Sequence, residues 1–506
     1  MDYGAVEQML RSCFVERGDD DAARAQKRQR RQQAERDLEE ILRASAPTAD
    51  EAYELARILS CAGPGDLSSL RRARDLAELA HTRGHPEAGR LFAGCVDRLL
   101  CAEHKPQRYG TLRRTIAGEV QLPEMDAAVT DEERAGLGLP PAAKVRDQLE
   151  EANRQAAHDV AVHGLPEGMN LRRVLRGWTP AQLEQALGGR AEAVWRDGPD
   201  VVFCWRGRAA AVTAWFGTEM EMEPVTGTEL WALAVRIRDA DHASFSYRFL
   251  PARDGETRRR GERSGTWRGP LAPPEPERAQ VLAGDLRTVE LDSEALGERR
   301  SLRVYVPPGH QAVAHVPVLY ATDGRVSAEL IEPLVLAGRI PPIVSVGVPF
   351  GEDVDGDRRA QEYLPGLHPE RFEAHRRFFV EEVSAWAERE LGVAADRRDR
   401  AVFGVSNGAA FAASMGVRHP EHFGAVIAFS LAVTGSPPTW KEGRAPAHYL
   451  CAGTLEEGFA RGTQRWAEVV GTAGAKVVHR SWVAGHDPLM WDGELPRALQ
   501  FAFTAR

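Results

Sequence analysis

Hydrophobic and polar positions change their period twice along the 506 residues. Up to about residue 190 the apolar positions recur at helical spacing, as in Ala52, Tyr53, Leu55, Ala56, Ile58 and Leu59 and again in Ala73, Leu76, Ala77, Leu79 and Ala80. Gly63-Pro64-Gly65 separates these two runs, which predicts a helix pair with small residues at its contacts. The three or more units that a solenoid requires are not found. Residues 20–44 are dense in Arg, Gln, Glu and Ala, good helix formers with few apolar positions, and residues 91–100 read as a further apolar helix. Near Trp195 the period drops to two. Residues 201–205, 211–216, 229–237 and 244–250 alternate as short strands between Gly, Asp and Pro clusters, which predicts a small antiparallel sandwich over 191–275. Trp205, Trp215, Trp231 and Trp267 lie on these strands; a core role is expected, with an aromatic- or sugar-binding platform as the alternative. Proline-rich residues 271–277 close this part as a stiff linker.

From 276 to 506 strands and helices alternate. Residues 300–309 and 315–324 each read as a strand running into a turn, 343–348, 401–403, 425–430, 447–453 and 477–482 as strands, and 372–391 as a long helix. The run 343–348 is almost wholly apolar, as strands buried on both faces are. The fold class expected is therefore multidomain: a helical N-terminal region (1–190), a β sandwich (191–275) and a C-terminal α/β-hydrolase domain (276–506) with a doubly wound, mostly parallel sheet.

Composition narrows the functional classes. A formal net charge of -9 argues against a general nucleic-acid binder, and the basic run at residues 27–31 is bracketed by acidic residues, as on a solvated helix face. No apolar run approaches the length of a membrane span, and the first residues lack a basic region followed by an apolar core. The six cysteines are scattered without a Cys-x-x-Cys pair, which suits buried thiols in a reducing compartment. A cytoplasmic protein of a bacterium-like cell is expected, with no metal and no cofactor in its catalytic machinery.

The chemistry gathers at predicted strand ends. Gly404-Val405-Ser406-Asn407-Gly408 follows one strand and precedes a helical run, so Ser406 sits at the apex of a strand–turn–helix between small residues. Such a turn lifts Oγ clear of the backbone, and the following helix brings free amides near it. Gly453-Thr454-Leu455-Glu456-Glu457 follows a later strand and offers a carboxylate, and Ala484-Gly485-His486-Asp487 follows the last and offers an imidazole. The order serine, acid, histidine is that of α/β hydrolases. A serine hydroxyl needs a base, and the base needs an acid to fix its tautomer, so Ser406, His486 and one of the adjacent carboxylates, Glu456 or Glu457, are the candidate triad. The oxyanion hole is expected from the amide of Asn407 and one from the turn after Asp323, near Gly324 or Arg325.

The sandwich strands with their Val-x-Phe-x-Trp-Arg-Gly, Trp-Ala-Leu and Phe-x-Tyr-Arg-Phe-Leu-Pro patterns, and the proline linker, resemble the N-terminal domain of the enterochelin (ferric siderophore) esterases. The resemblance continues through the esterase-D-type hydrolase domain and leaves residues 1–190 outside it. It implies hydrolysis of ester linkages in catecholate siderophores and intracellular iron release, with iron arriving on the substrate. The Gly-Thr-Leu-Glu stretch matches the family's acid loop at Glu456. Gly485-His486-Asp487-Pro488-Leu489-Met490-Trp491 matches its Gly-His-Asp-x-x-x-Trp motif, in which Asp487 shapes the loop and Trp491 is placed on the substrate side. Arg359-Ala360-Gln361-Glu362-Tyr363 resembles a family segment beside the active site, so Arg359 is expected either to hold an anionic substrate or to pair with Glu362. Within 1–190, Lys105-Pro106-Gln107-Arg108-Tyr109-Gly110-Thr111 and the stretch around Glu133-Arg134 resemble a bacterial helical domain of unassigned function, with Ala135 in place of a second arginine. These residues either bind a ligand or staple helices together, and the region is the candidate surface for a protein partner. Three other readings stay open: another small ester such as a feruloyl or acetyl ester, acyl transfer to an acceptor other than water, and a non-catalytic binding protein that keeps the hydrolase shell.

Overall fold

The computed structural model describes residues 6, 33–34, 36–43, 45–61, 67–102, 105–116, 118–252, 265–310, 315–352, 357–431, 440–441 and 443–504. The basic run 27–31, most of the expected helix 20–44 and the Gly63-Pro64-Gly65 turn lie outside them. The chain divides into two compact units, Met1–Asp159 and Val160–Arg506.

In the first unit the helical spacing is realised as Ala49–Ser60, Leu67–Thr82 and Ala88–Ala102. Thr48 starts the first of these with a capping box: its hydroxyl accepts from the Glu51 N–H at 3.3 Å, and its own N–H donates to the Glu51 carboxylate at 2.7 Å. Alanines at 52, 56, 73, 77 and 80 are fully buried, so the helix backbones approach closely around Leu55, Ile58, Leu70 and Leu76. A hairpin of Arg114–Ile116 with Glu119–Gln121 follows, so this part is not wholly helical.

The Lys-Pro-Gln motif turns inward. Buried Asp97 accepts from the N–H groups of Tyr109 (2.7 Å) and Thr111 (2.8 Å) and from the Thr111 hydroxyl (2.7 Å). Gln107 accepts from the Leu112 N–H at 3.0 Å and donates to the Pro123 carbonyl at 3.1 Å. Buried Arg134 donates to the carbonyls of Tyr109 and Pro140. The polar side chains of Asp97, Gln107 and Arg134 are thus satisfied within the protein, the arrangement of a staple between helices and loop.

In the second unit two antiparallel sheets form the sandwich. One has Leu171–Val174, Leu230–Ile237, Asp200–Arg206 and Glu192–Asp197 side by side; the other has Gly265–Arg268, Ser244–Ala252, Ala211–Trp215 and Glu219–Glu221. The first sheet thus takes a strand from before residue 191. Phe203 meets Phe216 at 4.8 Å and Phe245 at 6.1 Å across the sandwich, and Trp267 stacks on Phe245 at 5.2 Å. Of the four tryptophans expected in the core only Trp231 and Trp267 are buried. Trp215 is partly exposed with the Arg248 guanidinium 3.9 Å above its ring, because phenylalanines already fill the space between the sheets.

The C-terminal sheet has eight strands: β1 Asp285–Ser293, β2 Glu298–Val306, β3 Val318–Ala321, β4 Val344–Gly347, β5 Arg400–Val405, β6 Ala425–Phe429, β7 Ala447–Gly453 and β8 Val477–Trp482. Their order is β1-β2-β4-β3-β5-β6-β7-β8, antiparallel as far as the β2–β4 pairing and parallel from β4 onward. Strand alternation sorts side chains onto two faces. Val318, Tyr320, Val402 and Val426 join the core under the helix Asn407–Arg418, whereas Leu319, Ala321, Phe403 and Ile427 join the core under Ala328–Leu336 and Pro488–Thr504. Burial on both faces explains the near-continuous apolar runs; a fully buried residue such as Phe403 contributes about 2–3 kcal/mol. The long helix expected over 372–391 is helical from Pro369 to Leu391, widened to a π-helical turn at Phe378–Val383. Among the described residues no helix is long and apolar enough to cross a membrane.

Candidate active site

Strands β5 to β8 run parallel, so their C-terminal ends share one edge of the sheet. Ser406 follows β5 directly, at φ 58° and ψ −125°, a conformation that L-residues rarely adopt. Its N–H donates to Phe429 O at 2.9 Å, and the helix Asn407–Arg418 begins at the next residue. The flanking glycines are steric requirements. A Cβ on Gly404 would lie 2.0 Å from Gly408 O, and one on Gly408 would lie 2.2 Å from Thr322 Oγ1. Strand and helix cross too closely for a side chain at Gly404, and the Thr322 side chain closes the space at Gly408.

Glu456 stands at the end of the loop after β7 and is buried. One carboxylate oxygen accepts from the Ser430 hydroxyl at 2.7 Å and from the Gly453 N–H at 2.8 Å; the other lies 2.6 Å from Nδ1 of His486. Glu457, by contrast, opens the helix Glu457–Thr472, with Arg461 as its ionic neighbour at 4.0 Å. The geometry therefore brings Glu456, and not Glu457, to the imidazole. The acid and histidine loops are laced together beyond the strands: Thr454 N–H donates to Trp482 O at 2.8 Å and Leu455 N–H to Ala484 O at 3.0 Å. The His486 ring is held between Phe459, stacked at 4.3 Å, and the edge of Trp491 at 4.9 Å. With Nδ1 facing Glu456, Nε2 is the nitrogen left to take a proton.

Three expected residues have other partners. Trp491 is buried and donates from Nε1 to Ser430 Oγ at 2.8 Å, so it supports Glu456 through Ser430. Arg359 forks onto Asp323 at 2.6 and 3.0 Å and donates to Val405 O at 3.2 Å. Its charge is thus matched by Asp323 and not by Glu362, and it braces the backbone before Ser406. Glu362 instead takes Arg300 (2.7 and 3.1 Å) and Arg358 (2.5 Å), with His375 at 3.1 Å. Burial pushes the Glu362 carboxyl up, but the adjacent His375 imidazole and the Arg300 guanidinium outweigh it and hold it well below the usual carboxylate range.

The oxyanion donors also divide. Among the described residues the Asn407 N–H donates to no backbone carbonyl, as expected for the first residue of a helix. The Gly324 N–H is spent on Val348 O at 3.2 Å and that of Arg325 on Thr322 O at 3.1 Å. This turn folds back against β4, where a Cβ on Gly347 would lie 2.5 Å from the Gly324 carbonyl carbon, and both amides hold that fold. Gly324 is therefore not a free donor here. Asp487 is buried and accepts from the Leu489 N–H at 2.9 Å and the Ser246 hydroxyl at 2.8 Å, which suits a loop-shaping role. Ser430, itself at φ 56°, is the residue that sequence reading missed. It follows β6 as Ser406 follows β5, and inspecting each residue just past a parallel strand would have found it. Among the described residues no cluster of three or more His, Cys, Asp or Glu is arranged to hold a metal ion.

Residues 293–500 match the model of the Esterase family, described as "Putative esterase". No curated protein matches the chain. Among solved structures, the ferric enterobactin esterase of Salmonella typhimurium is similar over 64% of this chain and 99% of its own, at 19% identity and a TM-score of 0.51. The enterobactin esterase of Shigella flexneri, solved in the presence of enterobactin, is similar over 65% of this chain and 100% of its own, at 18% identity and a TM-score of 0.49. A ferulic acid esterase from Anaeromyces mucronatus is similar over 44% of this chain and 93% of its own, at 15% identity and a TM-score of 0.36.

Proposed function

Residues 293–500 being an esterase-family domain, we propose that this protein is a serine esterase working through Ser406, His486 and Glu456, and that its substrate is the ester of a catecholate siderophore. The observation that carries the mechanism is the 2.6 Å contact between Glu456 and His486 Nδ1 on the sheet edge that also bears the strained Ser406. Ser406 Oγ attacks the ester carbonyl as its proton passes to His486 Nε2, and Glu456 steadies the imidazolium. The Asn407 amide faces the developing oxyanion. His486 then protonates the leaving alcohol, and water, deprotonated by the same nitrogen, releases the acid and restores Ser406.

The siderophore assignment is supported by the motifs shared across sandwich and catalytic domain and by a fold likeness that spans the whole Salmonella typhimurium ferric enterobactin esterase. Iron would enter on the substrate and leave with its fragments, inside the cell. The unpaired state of the five described cysteines fits such a reducing compartment.

The test is hydrolysis of p-nitrophenyl acetate and butyrate by the wild type and Ser406→Ala, with ferric enterobactin run alongside. Turnover of both substrate classes, reduced by about 10³-fold or more in the variant, is expected. Serine-dependent turnover of the simple esters alone would reject the siderophore and keep the triad. No serine-dependent turnover of any of them would reject the esterase reading.

A further inference from the structure

We propose that the β sandwich is a positioning element for the proton-accepting histidine, so that the second unit catalyses only as sandwich and hydrolase domain together. This rests on the reading of His486 as the base. The loop carrying His486 is hydrogen-bonded on one side to the acid loop and on the other to the sandwich. The His486 N–H donates to Gly217 O at 2.7 Å, and the Ser244 N–H donates to Val483 O at 3.0 Å. The buried Asp487 carboxylate accepts from both the N–H and the hydroxyl of Ser246. Before the first sandwich strand, Asn170 Nδ2 reaches Thr454 O in the acid loop at 3.3 Å.

The two backbones approach too closely here to admit a Cβ on either side. Gly217 stands at φ +79° between strands Ala211–Trp215 and Glu219–Glu221, and a Cβ there would lie 2.6 Å from Gly485 Cα. A Cβ on Gly485 would lie 2.5 Å from the Gly217 carbonyl carbon. Two glycines separated by most of the unit's sequence are thus pressed together next to the imidazole. The sandwich side of this contact is held by its own sheet: Ser246 pairs in register with Thr266, and Phe216 N–H closes its turn on Thr218 O at 2.9 Å. Sheet-borne groups place a side chain more narrowly than a free loop does, and a misplacement of about 1 Å costs up to about 100-fold in rate. Gly217, Ser246 and Asp487 are accordingly positioning residues: they act on the reaction through the backbone of His486.

The experiment uses the full chain with Gly217→Ala, Ser246→Ala and Ser246→Thr. It measures kcat and KM on p-nitrophenyl acetate across pH, the downfield imidazole N–H proton resonance of the His486–Glu456 pair, and Tm. Wild type must first show Ser406-dependent turnover and covalent labelling by a fluorophosphonate; failure there removes the triad reading itself, not the positioning role. Given that, Gly217→Ala is expected to lower kcat about 10- to 100-fold with KM nearly unchanged, to shift the acidic limb of the pH profile and to weaken the downfield resonance. Ser246→Ala is expected to do the same by about 2- to 10-fold, and Ser246→Thr, which keeps the hydroxyl, to restore most of the loss. Folded variants with wild-type kcat, pH profile and resonance would overturn the proposal. If Gly217→Ala does not fold, the Ser246 pair decides: an Ala variant indistinguishable from wild type, or a loss that Thr does not restore, overturns it.

Discussion

The motif of the helical unit and the motif of the sheet edge look alike as sequence: each is a short run of polar residues broken by glycine. In space they do opposite things. Asp97 takes the N–H groups of Tyr109 and Thr111, Arg134 takes the carbonyls of Tyr109 and Pro140, and Gln107 takes the Leu112 N–H and the Pro123 carbonyl, so the polar groups point into the fold. At the sheet edge Glu456 is fully engaged, yet the Asn407 amide is not spent on any backbone carbonyl of the described residues, and His486 keeps one nitrogen beyond its contact with Glu456. A closed network fixes a fold, whereas an incomplete one held by a closed surround is ready to meet a reactant.

The comparison can be broken most sharply at the acid. Glu456→Gln should reduce kcat by about 10²- to 10⁴-fold by releasing the imidazole tautomer, while Glu457→Gln should stay within about twofold. Equal losses in steady-state assays of the two variants would remove the distinction between them. The next effect belongs to the closed network. Asp97→Asn should cost the helical unit about 2–4 kcal/mol in urea unfolding, because a carboxylate that accepts three hydrogen bonds is replaced by an amide that cannot. Esterase turnover should be unchanged; a proportionate loss of kcat would show that the motif is more than a staple.

The smallest effect is one of pH. In the second unit burial lowers His448 to about 4, and burial with the nearby Arg400 charge lowers His422 to about 3. An unfolded histidine titrates near 6.5, so between roughly pH 6.5 and pH 4 the unfolded chain binds protons that the folded chain refuses. Their folded pKa values are depressed, so stability is greatest above 6.5 and falls as pH falls. His448→Gln should flatten that slope, by about 1–3 kcal/mol across the window, in urea midpoints measured at stepped pH. An unchanged slope would place the acid sensitivity elsewhere.

The sheet and the serine turn were legible because their physics is local. Buried parallel strands must be apolar throughout, and a crossing that admits no Cβ must be glycine, as Gly404 and Gly408 are. The histidine and acid could be read from their places just past β7 and β8. The Asp323 partner of Arg359 and the Ser430 partner of Trp491 were not legible, because a motif marks proximity to a site but not the direction in which a side chain points. The Gly324 amide was misjudged because its use depends on how the turn meets β4, a contact between segments distant in sequence. Gly217 and Ser246 left no local trace at all: each is an ordinary turn or strand residue until the sandwich meets the histidine loop. The early start of the sandwich at Leu171–Val174 escaped because four residues, two of them arginine, show too little alternation to mark a strand.

The backbone at Ser406 has an effect that reaches beyond the reaction. A non-glycine residue at φ 58° holds about 1–3 kcal/mol of strain that the surrounding core must offset, so the folded state is weakest where it is most useful. Glycine at that position would relieve the strain and, on the proposed mechanism, remove the nucleophile in one change. Repeated selection of this chain for heat resistance alone, without an assay for turnover, would therefore drift toward inert descendants. A search for hardier versions has to screen for catalysis at every round.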